Sequence, residues 1–146
     1  MGKHLKNTKD MGLDEKISWV IDKVPHILLN DMNIDISDVD NVLNNNGDTL
    51  CILESEYCGN YAAKKAIELA INLLNTDISL LKSTNGILIM LTVPPNYIFK
   101  GDDVLNVIDT HVPYESPITL GTSTNYTFSE NHVEVTIVFT GLKHRG

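Results

Sequence analysis

The sequence predicts an α+β fold, a two-layer sandwich in which a four-stranded mixed sheet is backed by supporting helices. Three observations predict it. Gly86-Ile87-Leu88-Ile89-Met90-Leu91-Thr92 is an unbroken apolar run between Asn85-Gly86 and Pro94-Pro95, as expected of a central strand covered on both faces. Val133, Val135, Ile137 and Phe139 alternate with Glu134, Thr136, Val138 and Thr140, the period of a strand with one buried face. Between and before these runs, apolar residues recur at helical spacing. A chain of 146 residues, 42 % hydrophobic and 21 % charged, suits one such domain with a single core.

The elements follow in order. Residues 1–13 are polar and glycine-punctuated, and are expected to be a disordered lead-in or a leader added by cloning. Ile17, Val20, Ile21 and Val24 mark a short amphipathic helix, with Asp14 and Glu15 at its start, Lys23 at its end and Pro25 beyond. After a connector holding Asn30 to Asn33, helical spacing resumes through Ile36, Val39, Val42 and Leu43 and stops at Asn44-Asn45-Asn46-Gly47. Thr49 to Glu54 reads as a strand, and Cys58-Gly59-Asn60 turns the chain into another helix. That helix buries Ala63, Ala66, Ile67, Ala70, Ile71 and Leu74, small enough for it to lie close to a sheet. Beyond strand 86–93, Gly101-Asp102 opens a helix carrying Val104, Leu105 and Ile108, with Pro113 after it. Strands at 117–123 and 132–140, separated by a polar turn at 124–131, complete the set.

Composition excludes several functions. The nine glycines are so dispersed that neither GxG nor GxxxxGK[ST] can be written, which removes the usual nucleotide-cradling loops. Nineteen acids against eleven bases give a net charge of −8, which opposes binding to nucleic acid and to anionic membranes. No apolar run is long enough to span a bilayer, and no signal-type segment follows Lys3, Lys6 and Lys9, so a cytoplasmic protein is expected. Cys51 and Cys58 lack CxxC spacing and read as reduced, structural thiols. His4, His26, His111, His132 and His144 are scattered without cysteine or HExxH partners, so no metal site is expected. Trp19 and Met90 read as core contacts, and Asn125, Tyr126 and Phe128 as an exposed turn.

The acids are concentrated. No Lys or Arg occurs from Val24 through Ala63, where Asp31, Asp35, Asp38, Asp40, Asp48, Glu54 and Glu56 fall. Such a stretch is ordinarily a solvated surface. Within it, Asn33, Asp35 and Asp38 are spaced N-x-D-x-x-D at the head of a helix. With Asp35 as the N-cap, Asp38 occupies the third helical position, and both carboxylates meet the positive end of the helix dipole. Capping alone would account for that pair.

The longer string Met32-Asn33-Ile34-Asp35-Ile36-Ser37-Asp38-Val39 resembles the synergy loop of the FtsZ family, bacterial relatives of tubulin, where N-V-D-F-A-D-V is usual. The likeness continues through Gly47, Ala63, Ala66, Ala70 and Ile71, the G-x-L-x-x-x-T pattern of Gly86, Leu88 and Thr92, then Gly121. It closes on Val135-Thr136-Ile137-Val138-Phe139-Thr140-Gly141, where FtsZ chains carry V-T-V-I-A-T-G. It covers about residues 17–142. Departures mark a divergent relative: Leu29-Asn30-Asp31 stands where P-G is usual before the loop. Cys51 to Glu56 replaces G-x-G-x-A, and Val93-Pro94 replaces G-G.

The resemblance implies an FtsZ/tubulin C-terminal domain, the activation half of a two-part GTPase. Residues 14–34 would be the end of the central helix and the synergy loop, 35–142 the domain proper, and 143–146 a tail. Asp38 and Asp35 would be the catalytic acids and Asn33 would fix the loop near the nucleotide. GTP and Mg would be held by the N-terminal domain of a neighbouring subunit, so this chain alone is expected to bind no GTP. The implied partners are that N-terminal GTP-binding domain and a homopolymer, with no nucleic acid and no direct membrane contact. The family's linker and membrane-tethering tail peptide are not matched. Two rivals stand beside this reading: a stand-alone module that caps or regulates such filaments, and an unrelated small ligand-binding or metabolic domain.

Overall fold

A sheet in which a strand from the end of the chain lies at the centre organises the protein, seen in a computed structural model that describes residues 2–24, 36–44, 49–113 and 115–143. The strands are β1 (Lys3–Asn7), β2 (Thr49–Cys58), β3 (Gly86–Val93), β4 (Ile118–Thr124) and β5 (His132–Leu142). The helices are α1 (Leu13–Lys23), α2 (Ile36–Leu43), α3 (Ala62–Asn72) and α4 (Gly101–Asp109), with a 3₁₀ helix at Asn75–Ser83 between α3 and β3. The strand order is β1-β2-β5-β3-β4. β3 and β4 are parallel and every other neighbouring pair is antiparallel, so the sheet is mixed as expected.

Side-chain alternation divides the interior into two layers. On one face Cys51, Leu53, Ile87, Ile89, Leu91, Val135, Ile137 and Phe139 meet the alanine-rich side of α3 and Val104 and Ile108 of α4. On the other face Leu50, Ile52, Leu88, Met90 and Val138 meet Val20 within α1, Val24 just after it, and Val39, Val42 and Leu43 of α2. Helices therefore cover both faces, so the expected two-layer sandwich gains a third layer from α1 and α2, and β3 is buried on both faces as its apolar run predicts. For β5 the outcome differs from the half-buried expectation. From Val135 to Leu142 every residue is buried, because the threonine side of the strand lies beneath α2. Threonine survives there because its hydroxyl finds a backbone acceptor: Thr140 Oγ1 donates to Val42 O at 2.8 Å.

Two further differences have physical reasons. The polar lead-in is not disordered over its whole length: Lys3 to Asn7 pair antiparallel with Leu53 to Thr49, making a fifth, edge strand. Its only large apolar residue, Leu5, is 38 % exposed, so backbone hydrogen bonding rather than burial holds it, and no hydrophobic period announces it. The 3₁₀ helix Asn75–Ser83 is the second difference. It buries Leu80 and Leu81, and Thr84 Oγ1 caps it by donating to Leu81 O at 2.6 Å.

Candidate functional site

The only one of the three expected site residues that falls among the described residues is Asp38; Asn33 and Asp35 lie outside them. Helix α2 begins at Ile36, so Asp38 is its third residue, as the spacing predicts. Asp38 is half-buried and sits in the first turn, where the backbone N–H groups favour a carboxylate. The helix is short, and isolated it would be marginal. It is held by Val39, Val42 and Leu43, all buried against the sheet.

Its far end is fastened more specifically. Val42 O receives the Thr140 hydroxyl, and Gly86 makes room for that contact. A Cβ at Gly86 would stand 3.2 Å from Val42 O and 3.0 Å from Thr140 Oγ1. The sheet thus sets the position of α2, and α2 in turn sets Asp38. Asp40, noticed in the sequence only as part of the acid-rich stretch, has its Oδ1 buried with no hydrogen-bond partner among the described residues. An unsatisfied carboxylate oxygen is costly and uncommon in ordinary packing.

The other singled-out residues have clear places. Trp19 packs at the margin of the core beneath α1, and Met90 is buried in it. Pro94 follows the last residue of β3. In the turn before β5, Asn125 Oδ1 accepts from Thr127 N at 2.9 Å and Thr127 Oγ1 at 2.6 Å, a local Asx turn. Tyr126 is exposed, whereas Phe128 stacks on His132 with centroids 4.2 Å apart. Cys51 is a buried free thiol, pushed up to about 12 by burial, and Cys58 is an exposed one. The histidines are less solitary than their scatter suggests: His132 Nε2 lies 3.0 Å from Glu56 Oε2 and His4 Nε2 3.7 Å from Glu54 Oε1. The H-x-E spacing of His132 and Glu134, same-face neighbours on a strand, was the available signal; the pairing with Glu56 depends on register and was not.

The fold so defined is that of an FtsZ/tubulin-type C-terminal domain. FtsZ from M. jannaschii in a single-substitution mutant superposes with a TM-score of 0.68 at 24 % identity, over 89 % of this chain and 40 % of that one. A TubZ protofilament structure in the GDP form from Bacillus thuringiensis serovar israelensis gives 0.62 at 10 % identity, over 90 % and 35 %. In sequence the chain is 27 % identical to the cell division protein FtsZ of Neisseria meningitidis serogroup A and, equally, of Neisseria gonorrhoeae, over 79 % of this chain. It spans about 30 % of the length of those relatives. No family model matches it. Among the described residues no helix is long and apolar enough to cross a membrane.

Proposed function

We propose that this chain serves as the C-terminal half of an FtsZ-like cytoskeletal GTPase, a cytoplasmic filament protein of cell division. In this role it offers Asp38, with Asp35 and Asn33 before it, to GTP held by the N-terminal domain of a neighbouring subunit. The observation that carries the reading is the placement of Asp38. It is a half-buried carboxylate in the first turn of a helix pinned to the sheet through Val42 and Thr140. It stands in register with the N-x-D-x-x-D string that resembles the synergy loop.

A carboxylate held this way orients an attacking water and accepts its proton, and a rigid supporting helix supplies the positioning on which such catalysis depends. Asp38 takes the water-orienting role, and Asp35 and Asn33 hold the loop against the nucleotide. Repulsion between the Asp38 carboxylate and the phosphate would be offset by the magnesium held with the nucleotide on the partner. The chain's dispersed glycines offer no phosphate cradle of their own, so nucleotide binding falls to the partner.

The test mixes this chain with an FtsZ-type N-terminal GTP-binding half and follows GTP turnover. Turnover is expected only in the mixture, and Asp38→Ala should lower it by about 100-fold or more, far beyond the loss of about 0.3–1 kcal/mol in stability expected from removing a carboxylate in the first turn of a helix. Restored turnover indifferent to Asp38→Ala would remove the catalytic assignment and leave the carboxylate as a helix-end charge. Measurable GTP binding by the chain alone would contradict the division of labour.

A further inference from the structure

We propose that Glu56, His132 and Glu134 form a binding site for a divalent transition-metal ion of the zinc class, at the end of the β2–β5 ladder remote from Thr140. The strand register creates it. Glu56 and Glu134 are direct cross-strand partners, so two carboxylates stand opposite each other on one face of the sheet. Like charges in that position repel, and a cation between them reverses the sign of the interaction. His132, two residues before Glu134, is on the same face of β5 and places Nε2 3.0 Å from Glu56 Oε2. One ligand atom from each of the three residues lies within 4.8 Å of the others.

The imidazole is also oriented in advance. Its ring stacks on Phe128 at 4.2 Å with an interplanar angle of 21°, which fixes the direction in which Nε2 points. Phe128 is in turn placed by the Asx turn at Asn125 and by its own N–H, which donates to Asn125 O at 3.2 Å. Tetrahedral coordination at about 2.1 Å spaces ligand atoms about 3.4 Å apart. Glu56 is exposed, so its carboxylate has room to shift as the ligand atoms close from within 4.8 Å of one another to that spacing. One nitrogen and two carboxylate oxygens, on a partly solvated face, leave a fourth position for water and suit Zn²⁺ or Co²⁺ better than an all-oxygen calcium site would. The bound ion would clasp β2 to β5 beyond Leu53, where the pairing of β1 with β2 ends.

The experiment titrates Zn²⁺ into chelator-stripped full chain by calorimetry and follows the unfolding midpoint in parallel. One Zn²⁺ per chain is expected at micromolar concentration, with a raised midpoint. His132→Gln and Glu134→Gln should each weaken binding about tenfold or more, and Cys58→Ser and His111→Asn should not change it. Far-ultraviolet circular dichroism establishes that each variant is folded, and Glu134→Gln, nearly isosteric, serves if His132→Gln does not fold. Co²⁺ should give visible d–d bands without a thiolate charge-transfer band. Absence of binding, binding unchanged by Glu134→Gln, or binding lost in Cys58→Ser with a thiolate band would overturn the proposal.

Discussion

Gly141 shows what one residue must supply. Its φ of +76° lies where side chains are strained, and a Cβ there would stand 2.5 Å from Asn85 Cβ. Gly141→Ala combines both penalties and should cost about 2 kcal/mol or more in urea unfolding, with the slope unchanged. The two cysteines differ for an equally local reason. Cys51 is sealed between β2 and α3 and its thiol is pushed up to about 12, so it should resist thiol reagents in the folded protein at pH 8 while exposed Cys58 reacts. The linked effect on stability has a definite sign. Once pH passes the ordinary thiol value of 9.0, the unfolded chain loses a proton that the folded one keeps, so stability falls. The contribution approaches about 1.4 kcal/mol per pH unit between the two values and should vanish from the pH profile of Cys51→Ala. Spacing alone put Asp38 at the third helical position, whereas the unsatisfied Oδ1 of Asp40 is a property of packing and has no sequence signature.

Among the elements, those with a hydrophobic period were legible and those without were not. The apolar side of α3 and the uninterrupted run of β3 identify them from sequence, because burial selects both the residues and their spacing. β1 had no such pattern. Its Lys-His-Leu-Lys-Asn sequence is chosen by nothing except a free edge on β2. Edge strands rich in lysine also protect a sheet from pairing with another copy. Deletion of residues 1–7 should therefore expose the backbone of Thr49 to Leu53, lower the unfolding midpoint and increase self-association in light scattering. A dispensable lead-in would change neither. β5 was legible as a strand but not in its burial, since the threonines at 136 and 140 look solvent-facing until α2 is laid across them. The Glu56–His132 contact escaped for a related reason: its two residues are 76 positions apart, and only the pairing of β2 with β5 brings them together.

At the scale of the molecule, the two interior layers do different jobs. The layer under α3 and α4 is the larger and contains Phe139, the largest fully buried side chain. The layer under α1 and α2 is smaller and holds the helix that presents Asp38. Stability and the proposed chemistry are therefore carried on opposite faces of one sheet. Between those layers, β5 is hydrogen-bonded to β2 on one side and β3 on the other. Without it the sheet is two unconnected pairs, β1 with β2 and β3 with β4, and each would present an open apolar edge. A chain ending at residue 131 should accordingly be a poorly packed species that binds a hydrophobic dye. Addition of a separate peptide covering residues 132–143 should restore native circular dichroism and quench the dye signal. Cut at the turn of residues 125–131, the domain becomes a lock and its key: two silent pieces whose reunion can be made to report on whatever brings them together.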